Sequence, residues 1–287
     1  HTRLRSIVNR AFTPRRIGTM DEHIRSISEA LTDELSPDTE FDLMSSLAQP
    51  LPVIVIAEML GIPPSERERF KEWSTIVATA TELVPDPEEL VRRRDATEEM
   101  VEFLGSIVDK RAESPEDDLI SAIVSDEDPD GDKLTRDEVI SFAILLLVAG
   151  NETTTNLIGN GMLALLNYRE SLNALVADKS LIPAAMEETL RYDSPVQGLV
   201  RVVKQDVELL GQSLPAGDVV MCMLGAANRD PARYTEPEIF DIQREETRHL
   251  SFGHGIHFCL GAPLARLEAS IAYDSLLTRF TDFSPVK

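Results

Sequence analysis

The chain has 287 residues, 43% hydrophobic but only 5% aromatic, which is enough apolar material for one large core or two smaller ones. A formal net charge of −22 argues against nucleic acid or an anionic membrane as a general partner. Two cysteines, Cys222 and Cys259, give no disulfide framework and fit a reducing, cytoplasmic compartment, and the longest strongly apolar run, Phe142 to Gly150, is far short of the ~20 residues that span a bilayer.

From the start of the chain, residues 1–16 hold Arg3, Arg5, Arg10, Arg15 and Arg16 without a single acid, leaving 23 basic against 50 acidic residues in the remainder. This basic island is either a docking place for an anionic cofactor or partner, or a solvated helix face. Helical periodicity covers 2–10, 21–35, 41–60, 64–82 and 87–112, with Pro or Gly between the segments. Asp128 to Lys133 is a cluster of turn residues. After it, Thr135 and Glu138 have capping-box spacing and open a helix of about thirty residues. Its first half, Val139 to Ala149, is apolar nearly all round and belongs inside a core.

A helix at 182–192 follows, and then the pattern changes. Runs rich in Val and Leu at 197–203, 207–210 and 219–224, punctuated by Leu214-Pro215-Ala216-Gly217, predict a small sheet. A loop rich in turn residues, 228–251, leads to Cys259 and a final helix near 260–280. The expectation is a mainly α fold with a small β sheet, in one domain. Because the sequence begins inside a helical pattern, it also reads as a piece of a longer chain.

Three clusters carry candidate chemistry. Gly253, Gly255 and Gly261 surround Cys259, and the chain then turns helical. Glycines let a flat ligand approach the backbone, and a helix N-terminus favours thiolate over thiol. These are the needs of a thiolate bound to haem iron. Two other readings stay open for Cys259: a small buried hydrophobe, or a zinc ligand beside His249, His254 and His257. In the long helix the apolar run breaks at Ala149-Gly150-Asn151-Glu152-Thr153-Thr154. A local kink facing a pocket accounts for the cluster, and so does a solvated turn between two shorter helices. Lastly, Glu188 and Arg191 are spaced i, i+3, which taken alone reads as an ordinary surface ion pair.

Together and in this order, the clusters resemble the cytochrome P450 family, in its soluble bacterial type. FGHGIHFCLGAPLAR matches the family's FxxGxxxCxG signature, AGNETT its acid–alcohol pattern, and Glu188-Thr189-Leu190-Arg191 its ExxR motif. ANRDP at 227–231 and Phe240 to Arg244 resemble its meander, and HTRLR its C helix. The likeness covers essentially the whole chain, as a fragment running from the family's C helix through its L helix and incomplete at both termini.

The resemblance implies haem b (iron protoporphyrin IX) with Cys259 as the axial ligand of the iron and Phe252, Gly253 and Gly261 around the porphyrin. It implies propionate contacts from His1, Arg5, Arg201 and His257, and a distal wall containing Ala149. Thr153 would hold dioxygen and Glu152 would deliver protons through water. Glu188, Arg191 and Arg244 would form a structural triad. Leu145, Val148, Ala149, Gln197 and Leu199 would touch a small, largely apolar organic substrate, with Thr75 to Glu88 as a mobile roof. The implied reaction is monooxygenation, with electrons from a ferredoxin or flavodoxin whose acidic surface docks on Arg3, Arg10, Arg15 and Arg16. An inactive haem-binding fragment and a zinc-binding structural protein are the rival readings.

Overall fold

A computed structural model describes residues 1–37, 39–78, 86–127 and 131–286. In chain order the elements are α1 (Thr2–Ala11), α2 (Pro14–Gly18), α3 (Asp21–Asp33), α4 (Pro50–Met59), α5 (Arg67–Ala78), α6 (Pro87–Glu113), α7 (Leu119–Ser125) and α8 (Arg136–Asn167). Then come α9 (Arg169–Ala177), α10 (Ile182–Tyr192), β1 (Gly198–Val202), β2 (Val207–Leu209), β3 (Gln212–Leu214), β4 (Val219–Met223), α11 (Leu224–Ala227) and α12 (Ala262–Arg279). The mainly helical expectation holds. The chain divides into two compact units, His1–Asn156 with Leu260–Phe280, and Leu157–Cys259 with Thr281–Lys287.

In the first unit, local chemistry sets most helix starts. Thr13 caps α2 by accepting from Arg16 N at 3.2 Å, with Pro14 at the first helical position. Asp86 caps α6 and Asp118 caps α7. The expected capping box opens α8: Thr135 N donates to Glu138 Oε2 at 2.8 Å, and Glu138 N donates to Thr135 Oγ1 at 3.3 Å. The predicted helix 41–60 is instead a π-helical turn, Met44–Ala48, followed by α4. Pro50 and Pro52 lack the N–H groups that would carry one α-helix through this region. α4 is buried nearly all round. α12 packs on α3, where Arg25 pairs with Asp274, and Arg279 donates to Leu35 O at 2.9 Å and Asp33 Oδ1 at 2.6 Å.

The second unit holds two separate antiparallel pairs, β1 with β4 and β2 with β3, rather than one small sheet. Val200 faces Met221 and Leu199 faces Cys222 in the first pair. In the second, Leu210 and Gly211 connect the strands with φ of 51° and 78°, the positive values a two-residue hairpin of matching twist demands. α7 and α9 were not expected from the sequence. Residues 79–85 of the proposed roof and 128–130 of the predicted turn cluster lie outside the described residues.

Candidate functional site

The cysteine loop is built by backbone bonds in the second unit. Gly253 N donates to Leu250 O at 2.8 Å, Phe258 N to Gly255 O at 3.0 Å, and Cys259 N to Phe252 O at 2.8 Å. Gly253 and Gly255 take φ of 70° and 71°, which is why glycine stands at both positions. The turn leaves Ile256 75% and Phe258 43% exposed beside a half-buried Cys259, and places His257 on the surface. Phe252 packs edge-on against Phe258 at 6.3 Å. Gly261, in the first unit, is the N-cap of α12, and Ala265 N donates to its carbonyl at 2.9 Å.

Asn228, fully buried, clasps the strand of loop that enters this turn. Its Oδ1 accepts from Leu250 N at 2.7 Å and its Nδ2 donates to Ser251 Oγ at 2.9 Å. Ser251 Oγ in turn donates to Leu190 O on α10 at 2.6 Å. A lone Asn in a loop such as ANRDP gives no sequence signal of such a clasp.

Glu188 and Arg191 are not a surface pair. Both side chains are fully buried, with Arg191 Nε on Glu188 Oε2 at 2.7 Å and Nη2 on Oε1 at 2.8 Å. Arg191 also donates to the carbonyls of Asn228, Pro237 and Ile239 at 2.9–3.0 Å. Arg244 Nε reaches Glu188 Oε1 at 3.3 Å, and Asp241 N reaches the same oxygen at 2.9 Å. The structure therefore brings the three triad residues together and ties the meander to α10. Such a pair is strong only because every lone pair and donor finds a partner in a dry site.

α8 runs without interruption through 149–154, which removes the solvated-turn reading. Its polar residues separate by face. Asn151, Thr154 and Thr155 are buried, whereas Ala149 and Glu152 are exposed and Thr153 is half-buried. Leu145, 61% exposed, continues the bared face, since residues 145, 149, 152 and 153 share one side at helical spacing. Val148 stands half-buried at its edge. Thr153 Oγ1 donates to Ala149 O at 2.6 Å. At Gly150 α8 approaches Ile56 of α4 closely: a Cβ there would lie 2.6 Å from Ile56 Cδ1, which would have to move aside.

The remaining expected residues stand on other elements. His1 is the N-cap of α1, and Arg5 lies one turn on, where its Nε donates to Asn9 Oδ1 at 3.0 Å. Arg201 is exposed on β1 and donates to Val200 O at 2.9 Å. Leu199 is half-buried on the same strand. Gln197 is exposed, and its amide is spent on Ser194 O at 2.7 Å and Asp193 Oδ1 at 3.2 Å. In the basic island Arg3 pairs with Glu138, Arg10 with Asp126 at 2.8 Å and Arg16 with Asp117 at 3.7 Å. His249, a zinc candidate, is engaged by Glu187 at 3.2 Å and by Ser251 N at 3.2 Å. Among the described residues no three His, Cys, Asp or Glu side chains converge as a metal site.

A mainly helical body, a cysteine loop that leads into a helix, and a buried Glu–Arg–Arg knot fit the resemblance that the motifs carry. The comparisons agree. The family pattern described as cytochrome P450 matches residues 1–285. The cytochrome P450 monooxygenase PikC of Streptomyces venezuelae is 45% identical over 287 residues, spanning 99% of this chain and 67% of that protein. The vitamin D(3) 25-hydroxylase of Pseudonocardia autotrophica is 42% identical over 277 residues, 96% of this chain and 67% of its own length. The crystal structure of CYP109B1 from Bacillus subtilis superposes with a TM-score of 0.93 at 43% identity, covering 100% of this chain and 78% of that one. The chain belongs to the cytochrome P450 family, and its function is that of a cytochrome P450 monooxygenase. Among the described residues no helix is long and apolar enough to cross a membrane.

Proposed function

We propose that the 287 residues act as one domain in which Cys259 ligates haem b and the bared face of α8 handles dioxygen and its protons. The observation that carries this reading is the separation of faces on α8, with Glu152 and Thr153 turned to the exposed side next to Leu145 and Ala149. The residues fit the group. Cys259 is half-buried after two left-handed glycines, Ile256 and Phe258 beside it are exposed, and so are His257 and Arg201. Cys259 would hold the iron, with Phe252, Gly253 and Gly261 beside the ring and His1, Arg5, Arg201 and His257 on its carboxylates. Bound there, haem supplies the redox-active iron that activates dioxygen for insertion of one oxygen atom into an organic substrate.

The chain's own residues then position and protonate. The Thr153 hydroxyl, satisfied by Ala149 O, can rotate to donate into the open side of the helix while staying near its acceptor. Glu152 is exposed on that side, where it is placed to relay protons from water. Leu145, Val148, Ala149 and Leu199 favour a largely apolar substrate, in keeping with the vitamin D(3) named for one relative. Because Gln197 spends its amide locally, it shapes the wall more than it reads the substrate. The electron donor is a ferredoxin or flavodoxin in a cytoplasmic setting. Donor docking falls on the basic end, where Arg3, Arg10 and Arg16 also face carboxylates of the chain across partly exposed pairs and Arg15 stands beside them.

The reduced, carbon-monoxide-bound protein is expected to show the red-shifted Soret band of thiolate ligation, and Cys259→Ala to lose that band altogether. A Cys259→Ala variant that keeps it would move the ligand elsewhere and defeat the assignment. Thr153→Ala is expected to keep the band but release several-fold more hydrogen peroxide per electron consumed. Unchanged coupling in that variant would remove Thr153 from the proton path.

A further inference from the structure

On α8 the residue before Glu152 is Asn151, buried in a stretch where an aliphatic side chain would cost nothing. A buried amide is expensive unless its hydrogen bonds are made, and Asn is a poor helix former. Asn151 has one: its Nδ2 donates at 2.7 Å to Oγ of Ser74, which is fully buried on α5, 77 residues away. Two further constraints flank it. Gly150 admits Ile56 of α4 to near contact, and Thr155 Oγ1 donates to Ala48 O at 3.0 Å. The helix segment bracketing Glu152 and Thr153 is thus held against three neighbours. A buried hydrogen bond adds a directional constraint that apolar packing alone lacks.

We infer that Asn151 and Ser74 are a positioning pair for the oxygen-handling face: their hydrogen bond fixes the rotation of α8 and so aims Glu152 and Thr153. Neither residue touches the reacting atoms. The inference rests on the proposed role of Glu152 and Thr153, but the hydrogen bond is separable from it. With the pair intact, rotation of α8 is restricted and protons reach one place. Without it, α8 keeps its apolar packing and its helicity, but the aim of the two side chains spreads.

The test uses Ser74→Ala, which removes the acceptor, and Ser74→Thr, which keeps a hydroxyl, in the full chain loaded with haem. Two signals are read: amide hydrogen exchange across 149–155, and hydrogen peroxide released per electron. Ser74→Ala is expected to raise exchange in this segment about fivefold, the factor that the loss of one ordinary hydrogen bond of ~1 kcal/mol gives. It should raise peroxide release about two- to fivefold, with Ser74→Thr returning both signals toward wild type. Exchange and peroxide release both unchanged in Ser74→Ala overturn the inference, as does a Ser74→Thr variant no better than Ala. If exchange responds with rescue but peroxide does not, the pair is structural only and the positioning role is overturned. A wild-type protein without the thiolate band would overturn the Cys259 assignment alone, because the exchange contrast is read without reference to it.

Discussion

Arg191→Leu is expected to give a chain that unfolds at markedly lower denaturant than wild type and fails to retain haem. Removing one member of a buried, fully bonded ion pair costs about 3–5 kcal/mol, because the partner charge stays behind without compensation. A domain's whole margin is about 5–15 kcal/mol. Here the loss is compounded. The guanidinium satisfies Glu188 through two bonds and also closes the carbonyls of Asn228, Pro237 and Ile239, so the meander loses its anchor on α10. Arg191→Lys keeps the charge but not the planar fork, and should recover only part of the stability. Denaturant midpoints for the three proteins decide the matter. A lysine variant matching wild type would mean that charge alone, not the geometry of the fork, holds the knot.

The knot also shows what the sequence conceals. Glu188 and Arg191 at i, i+3 have the same spacing as countless exposed pairs, and nothing in the local pattern says that 237–241 folds back over them. Its burial is a tertiary fact. The box that opens α8 is local, and Thr135 and Glu138 were legible because the two side chains answer each other within one turn. The same contrast runs through α8. Its apolar half and its polar break were plain, but which polar residues face inward depends on α4 and α5. Asn151 therefore looked no different from Glu152. α7 holds only seven residues, about two turns, too few to show a period.

Glu268 on α12 is the clearest buried charge candidate that the sequence did not announce. The side chain is 1% exposed, and its Oε2 has no partner within hydrogen-bonding reach. Burial raises its pKa from 4.5 to about 8, so the folded protein keeps it neutral at pH 7. Tyr273 on the same helix is pushed upward too and stays a neutral phenol throughout. Below pH 4.5 the carboxyl is protonated in both folded and unfolded chains, and its contribution is fully present. As pH rises from there to about 8, the unfolded chain gives up the proton and the folded one does not, so stability falls. The slope is ~1.4 kcal/mol per pH unit, roughly 5 kcal/mol over the whole window, and it flattens once the folded group ionises as well. Glu268→Gln removes this one slope and leaves the Arg25–Asp274 and Arg279–Asp33 pairs on the same two helices intact. The difference in unfolding free energy between variant and wild type should therefore grow in the variant's favour from pH 5 to pH 8. An amide that finds no partner for its new N–H groups would lower the variant's curve by a constant amount without restoring the slope. Parallel curves across that range would show that Glu268 is ionised in the fold, with its charge answered by a group that the buried α12–α3 contact does not reveal.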